Sequence, residues 1–384
     1  MMNSKRWSAA FVSLIALVMI GIMALNYFVD PYKYFSSQSG DYYEADENDY
    51  LREQKAEHIK KYSGQYDAYL IAGSKGGALR TEKLKELDGY NYYNCWVLSG
   101  NLIDYLAYTQ FILENTDAKK IVLQLSTSEL YKFDRASQGD IYEVPAIVSG
   151  ESKIAEYMKF LMINPSVAWG KLTTKEEETV KYPCLPTGER NLAKYYQYYN
   201  SNASAGNNNY ANYILGSAAK YLKYLDSEVP EKPKTLEQIL INLREIASLC
   251  KKNEVEIQVI YAPLFSAQMM RYEGETFYDL LEESVMIFDK VWCFNNFNGL
   301  TMCPYNFYNI SHYFYEMGDL MIDTMSGKET GYDDFGVLLT RENVGTEITK
   351  RKQKLAELKA YYLQNRTLPY EGFDSAYNLK KIYG

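Results

Sequence analysis

The chain has 384 residues, of which 47% are hydrophobic and 23% are charged, and its formal net charge at pH 7 is -8. This length and apolar fraction allow one large or two modest folded domains and exclude a disordered chain. The acidic balance excludes a basic nucleic-acid-binding protein, so we expect no nucleic-acid partner. With two histidines and no Cys-x-x-Cys or His-x-x-x-His spacing, we predict neither a zinc site nor another cofactor.

A long apolar segment lies near the N-terminus. Lys5 and Arg6 precede an uncharged run from Trp7 to Val29, which as a helix rising about 1.5 Å per residue can cross a hydrocarbon layer about 30 Å thick. Positively charged flanks remain in the cytoplasm, so we predict a single-pass cell-membrane anchor over residues 1–30, with the rest of the chain extracytoplasmic. A cleaved signal peptide is the alternative, although this run is longer than a usual signal-peptide core.

Strands and helices alternate through the rest of the chain. Residues 31–50 are predicted to be a juxtamembrane segment, and residues 51–330 an α/β domain with a doubly wound parallel sheet. Residues 134–233, rich in Tyr, Asn, Ser and Lys, are interpreted as a partly helical insertion, with a small second domain as the alternative, and residues 331–384 as a C-terminal helical extension. The predicted strands are 67–72, 92–98, 120–125, 256–262 and 291–294, and the main helices between them are 81–88, 102–115, 235–252 and 276–288.

A glycine-rich turn follows the first predicted strand and presents Ser74. A hydroxyl becomes a nucleophile only when a base takes its proton, and histidine is the usual base. His58 lies among charges of both signs and is predicted to be solvated on an exposed helix, which leaves His312 as the base. Because the carboxyl ends of parallel strands meet at one edge, we expect Ser74, Gly100 and Ser126 to lie near His312. A structural turn serine and a half-buried structural histidine are the alternatives.

Four sequence stretches carry a resemblance to a known family. They are Asn-Tyr-Phe-Val-Asp-Pro-Tyr at 26–32, Tyr-Asp-Ala-Tyr-Leu-Ile-Ala-Gly-Ser-Lys at 66–75, Tyr-Asn-Cys-Trp-Val-Leu-Ser-Gly at 93–100, and Asn-Ile-Ser-His-Tyr at 309–313. The chain resembles the SGNH/GDSL hydrolase superfamily, and within it the membrane-anchored, exported branch that includes the D-alanyl-lipoteichoic acid transfer protein and the alginate O-acetyltransferases. The likeness spans most of the chain.

The resemblance implies roles for three residues. Ser74 would be the nucleophile, His312 the base and Asn309 the group that orients the imidazole. Two positions depart from the family, which usually has glycine where this chain has Ala72 and aspartate where it has Asn309. An amide oxygen can orient the imidazole, but it cannot stabilise imidazolium with a full negative charge.

The resemblance also implies an oxyanion hole. The backbone N–H groups of Ser74 and Gly100 would be its donors. The asparagine that the family places after the third strand is replaced here by Ser126-Thr127-Ser128, so Asn101 is the candidate for the missing donor. Lys75 either contacts the substrate or faces solvent.

The implied function is that of an extracytoplasmic serine esterase or acyltransferase. It would act on acyl groups of a cell-envelope polysaccharide or teichoic acid, with a membrane-bound O-acyltransferase as its partner. The alternative is a catalytically degenerate protein that binds polysaccharide, or scaffolds an O-acylation complex, through its 39 tyrosines. An enzyme should hold the Ser74 hydroxyl within about 3 Å of the His312 ring, whereas a scaffold has no need to do so.

Overall fold

The computed structural model of the chain describes residues 4–36, 50–127, 143–173, 186–226 and 236–383. The chain divides into two compact units, a smaller one of residues 1–61 and 138–183 and a larger one of residues 62–137 and 184–384. The range that we interpreted as one insertion therefore contributes to both units. The predicted juxtamembrane segment lies largely outside the described residues.

The helices are α1 Ser4–Val29, α2 Leu51–Lys61, α3 Thr81–Asp88, α4 Leu102–Asn115, α5 Ala146–Ser149, α6 Lys153–Leu161, α7 Pro165–Thr173, α8 Ala193–Asn202, α9 Asn209–Leu222, α10 Leu236–Lys252, α11 Ser266–Tyr272, α12 Glu275–Phe288, α13 Gly299–Met302, α14 Tyr315–Met325, α15 Val344–Asn365 and α16 Leu379–Tyr383. The strands are β1 Ala68–Ala72, β2 Tyr92–Trp96, β3 Lys120–Leu125, β4 Glu256–Tyr261, β5 Val291–Cys293, β6 Phe307–Asn309, β7 His312–Tyr313 and β8 Val337–Leu339.

The larger unit is built on a six-stranded sheet with the order β2-β1-β3-β4-β5-β8. The first five strands are parallel, and β8 adds an antiparallel edge next to β5. The prediction of a mixed α/β domain with a mainly parallel sheet is confirmed. β8 was not predicted, and it lies in the range that we assigned to a helical extension.

Local sequence explains these elements. Every residue of β1, β2 and β3 is buried, as expected for parallel strands covered on both faces. Two groups of helices pack with the sheet: α4, α10 and α12 form one, and α3 with α14 forms another. The helix α3 ends at Gly89, whose φ of 85° is the left-handed conformation that glycine adopts readily.

The C-terminal segment packs within the larger unit. The helix α15 buries Leu355 and Leu358, which lie one turn apart on one side of the helix. On α16, the Lys380 side chain is buried, and its Nζ lies over the Phe314 ring. It lies 3.4 Å from a carboxylate oxygen of Glu316.

The smaller unit contains α1, α2 and α5 to α7. Among the described residues, α1 is the one helix long and apolar enough to span a membrane. Residues 4–21 of α1 are exposed, and burial begins at residue 22, where α1 packs against α6 and α7. Asn26 is fully buried there, and its Nδ2 donates to the carbonyl oxygens of Leu161 and Ile163, at 2.9 Å each.

The prediction that His58 is solvated is wrong, since His58 is buried on α2. The charged residues around His58 do not indicate an exposed helix, because several of them are buried as well.

Candidate active site

The turn after β1 presents Ser74. β1 ends at Ala72, Gly73 is extended, and Ser74–Ala78 forms a short 3₁₀ helix. The neighbouring strand fixes this turn, because the buried Asn94 of β2 donates from Nδ2 to the carbonyl oxygens of Gly76, at 2.8 Å, and Leu79, at 2.9 Å. Ser74 is only 9% exposed, so little of its surface is open to a substrate.

Two glycines of the turn are required by close packing. A Cβ on Gly76 would lie 2.2 Å from the Cβ of Ala72, and a Cβ on Gly77 would lie 2.7 Å from the Cβ of Arg190. Both separations are far below van der Waals contact. The Gly-Gly pair therefore lets the turn lie close against the surrounding residues.

His312 reaches Ser74 from a two-stranded antiparallel pair, β6 and β7, in which Asn309 is the register partner of His312. The Nε2 atom of His312 lies 2.7 Å from the Oγ of Ser74, and its Nδ1 lies 2.8 Å from the Oδ1 of Asn309. The three side chains thus form one continuous hydrogen-bonded chain. The structure brings together the residues proposed as nucleophile, base and orienting group.

A backbone contact determines which end of the Asn309 amide faces the imidazole. The N–H of Ser311 donates to Oδ1 of Asn309 at 2.9 Å, and a backbone N–H can bond only to the oxygen end of an amide. The same oxygen faces Nδ1 of His312 and requires a proton there. Neutral His312 is then protonated on Nδ1, so its Nε2 accepts the proton of the Ser74 hydroxyl. This is the tautomer that a general base needs.

The glycine proposed as an oxyanion donor lies beside the turn of residues 73–79 that presents the proposed nucleophile, which we term the nucleophile turn. A Cβ on Gly100 would be 3.1 Å from the Cα of Gly73 and 2.6 Å from Cγ2 of Val97, so only glycine fits. The Gly100 N–H donates to the carbonyl oxygen of Val97 at 3.2 Å and closes a tight turn. In this conformation the Gly100 N–H is therefore engaged within its own loop. The Ser74 N–H opens the 3₁₀ helix, where the first donors have no acceptor within the helix.

Asn101 and Lys75 both belong to the larger unit, and both are buried. Asn101 is buried, and its Oδ1 accepts from the N–H of Ile103 as the N-cap of α4, with Asp104 completing a capping box. Its local helix-capping role explains its position after Gly100. Lys75 is buried, so the alternative that it faces solvent is wrong. Ser126, at the end of β3, is also buried, and Ser128 lies outside the described residues.

Sequence reasoning missed a buried arginine and the tyrosine that it contacts. Nη1 of Arg190 donates to the hydroxyl of Tyr308 at 3.1 Å, and the Tyr308 ring stacks on the His312 ring with centroids 5.3 Å apart. The N–H of Arg190 also donates to the carbonyl oxygen of Gly77 at 3.0 Å. Arg190 thus contacts both the nucleophile turn and Tyr308 of β6, whose ring stacks on His312. Burial raises the pKa of Tyr308 and Arg190 offsets part of this rise, so the Tyr308 hydroxyl is protonated at neutral pH.

A cleft of about 380 Å³ lies between α3 and α14 in the same unit. Its lining combines tyrosine rings with cations and carboxylates, and Arg80 and Asp319 form an ion pair across it. The hydroxyl of Tyr315 in this lining donates to the carbonyl oxygen of Arg190, which connects the cleft to the residues around His312. The lining residues are Arg80, Lys83, Tyr196, Tyr315, Glu316, Asp319, Leu320 and Asp323.

Metal and disulfide chemistry have no counterpart in the described part of the chain. No group of three or more His, Cys, Asp or Glu side chains is arranged there to hold a metal ion. Cys293 and Cys303 are separate buried thiols, and burial raises the pKa of each. Cys184 lies outside the described residues.

Comparisons with known proteins do not assign the chain to a family. No family model matches it, and no curated protein is significantly similar to it. The geometry of Ser74, His312 and Asn309 is therefore the basis on which a function can be proposed.

Proposed function

We propose that this protein is a membrane-anchored, extracytoplasmic serine esterase or acyltransferase of the SGNH/GDSL type that acts on acyl groups of a cell-envelope glycopolymer. The observation that carries the proposal is the chain of hydrogen bonds from Ser74 through His312 to Asn309, with lengths of 2.7 and 2.8 Å. Such an arrangement of nucleophile, base and orienting group is the signature of nucleophilic catalysis.

The proposed reaction has two steps. Ser74 Oγ attacks the ester carbonyl while His312 Nε2 takes its proton, and the resulting imidazolium then gives that proton to the departing alcohol, leaving an acyl-enzyme. Water or a sugar hydroxyl next loses its proton to His312 and attacks the acyl-enzyme. The bond between Ser74 Oγ and the acyl carbon then breaks, and the imidazolium returns the proton to Ser74. Water gives hydrolysis, and a sugar hydroxyl gives transfer. The Ser74 N–H would stabilise the oxyanion, and the Gly100 N–H would join it once released from Val97.

The sheet supports the assignment to this type of hydrolase. Its first five strands have the order 2-1-3-4-5, which is that of flavodoxin-like sheets. β1 lies between β2 and β3. The chain therefore runs from β1 to β2 on one side of β1 and then crosses back to form β3 on the other side. Ser74 follows β1 directly, and ligands of open α/β sheets bind at such switch points.

The N-terminal helix supports a retained anchor. The side chain of Asn26 is hydrogen bonded to two carbonyl oxygens of a distant part of the chain, so the end of α1 is built into a folded unit. A signal peptide that is removed would have no such role. With Lys5 and Arg6 in the cytoplasm, the rest of the chain would be outside, where a membrane-bound O-acyltransferase could supply acyl groups. We place the polymer in the cleft between α3 and α14, because tyrosine rings and charged groups suit a polyhydroxylated ligand.

The test uses the full chain in detergent and a fluorophosphonate probe, with labelling followed by intact mass. We expect the parent to gain one probe, and Ser74→Ala and His312→Ala to gain none. The exposed Ser201 provides a matched control, since Ser201→Ala should label as the parent does. Folding of each variant is checked by circular dichroism.

A scaffold that binds polysaccharide without catalysis is the second candidate. It is favoured by two observations: the neutral Asn309 stands where the family has a carboxylate, and the Gly100 N–H is engaged by Val97. If the folded parent takes up no probe between about pH 6 and 9 but binds glycan in titration calorimetry, the scaffold replaces the enzyme as the function.

A further inference from the structure

Two helices of the smaller unit expose large apolar side chains on one face each. On α6, Ile154 is 78% exposed and Met158 is 42% exposed, and on α7, Trp169 is 62% and Leu172 is 60% exposed. These pairs are spaced four and three residues apart, so each pair shares one side of its helix. Single exposed apolar residues are ordinary on soluble proteins, but four of them on two consecutive short helices call for something that covers them.

The packing of these helices on α1 sets their level along it. Both helices contact the part of α1 that follows residue 21. The connection between α6 and α7 is held by the side chain of Asn26 through the carbonyl oxygens of Leu161 and Ile163. From Trp7 to Tyr27, α1 rises about 30 Å, which is the thickness of a bilayer's hydrocarbon core. Asn26 and the connection therefore lie at the outer boundary of that core if α1 spans the membrane.

We propose that α6 and α7 form a second membrane contact, lying in the interfacial layer of the bilayer with Ile154, Met158, Trp169 and Leu172 turned toward the acyl chains. This inference rests on the proposed membrane-spanning role of α1. It goes beyond that role because it gives the smaller unit a lipid-facing surface outside the span. The contact would limit how far the smaller unit can tilt away from the membrane.

Lipid is the occupant that the surrounding residues favour. Both helices pack against α1, at whose C-terminal end Tyr27 and Phe28 are also exposed. Tryptophan and tyrosine concentrate at the boundary between headgroups and acyl chains, because their rings are apolar and their N–H or O–H groups remain hydrated. Short helices with one apolar face bind in the plane of that boundary.

The test places a nitroxide spin label on the full chain in vesicles of phosphatidylcholine with a minor share of phosphatidylglycerol. Ile154→Cys and Leu172→Cys report on the proposed face, and Leu17→Cys reports on α1. Ile241→Cys is the matched control, because Ile241 is an exposed isoleucine on a helix of the larger unit. Cys184→Ser serves as the common background. The accessibility of each label to oxygen, which enters lipid, is compared with its accessibility to a water-soluble nickel complex.

We expect the ratio of oxygen to nickel accessibility at positions 154 and 172 to be several-fold higher than at 241, and lower than at 17. Ratios at 154 and 172 equal to that at 241 would overturn the interfacial contact, while a high ratio at 17 would leave the anchor in place. A low ratio at 17 would instead remove the anchor itself. Labels at 154 and 172 that are shielded from both reagents would show a protein surface in place of lipid, and would also overturn the inference.

Discussion

Replacing Asn309 by aspartate should accelerate the reaction of Ser74, and the structure sets the size of the gain. In serine proteases the opposite change, from aspartate to asparagine, costs a factor of about 10⁴ because the amide then holds the wrong histidine tautomer. Here the Ser311 N–H already fixes the Asn309 oxygen toward His312. Only the added charge remains to be gained.

A hydrogen bond to a charged acceptor stabilises by about 1.5–3 kcal/mol, against about 0.5–1.5 for a neutral one. The difference of about 1–2 kcal/mol in stabilising the imidazolium corresponds to about a 5- to 30-fold faster reaction. The assay is the second-order rate of fluorophosphonate labelling, measured by intact mass. Asn309→Ala is the control that removes the acceptor, and it should slow labelling by up to about tenfold. An aspartate variant that is folded and no faster than the parent would refute the assignment of Asn309 as the orienting group.

Three further changes test the packing that supports the site. Gly100→Ala should lower the free energy of unfolding by about 1–3 kcal/mol because its Cβ would meet three neighbours. The control is Gly216→Ala, where a Cβ meets nothing within 4 Å and no destabilisation is expected. Equal losses of the two variants in urea unfolding would contradict the steric argument. Asn94→Asp keeps the size of the side chain but loses the two hydrogen bonds that it donates to the nucleophile turn, so the labelling rate of the folded variant should fall. An unchanged labelling rate would show that the turn holds without them. Burial lowers the pKa of Lys380 to about 7, with Glu316 opposing the shift. Between about pH 7 and 10 the unfolded chain, whose lysine has an ordinary pKa near 10.4, therefore binds one more proton than the folded chain. The free energy of unfolding of the parent should then rise with pH over this range, by up to about 1.4 kcal/mol per pH unit. In Lys380→Met this dependence should disappear, and parallel stability curves for parent and variant would show that Lys380 keeps its charge in the fold.

Most of the larger unit could be predicted because its elements carry local signals. The buried strands β1 and β3 read as short apolar runs, and α3 ends at a glycine where the sequence indicated. Strand β8 could not be predicted, because a run of three apolar residues is too short to distinguish a strand from a helix. It becomes a strand only by pairing with β5. The division into two units depends on contacts between residues 4–61 and 143–173, which are distant in sequence, and no local pattern reveals them.

The site divides in the same way. The proximity of Ser74 and His312 was predictable because strand ends converge at one edge of the sheet. Asn94 had a signal that went unused, since a polar residue inside a buried strand needs a hydrogen-bond partner. Arg190 and Tyr308 had none, because their relation to His312 arises only when the segment after residue 186 folds against the nucleophile turn.

The discontinuous smaller unit changes what removal of the anchor would mean. The carbonyl oxygens of Leu161 and Ile163 are bonded to the side chain of Asn26, so a chain cut after α1 would leave these acceptors without their donor and uncover the apolar sides of α6 and α7. The N-terminal helix is therefore a folding partner, in addition to the anchoring role that we propose for it. Exchanging it for an unrelated membrane helix should preserve attachment and still cost the smaller unit its structure.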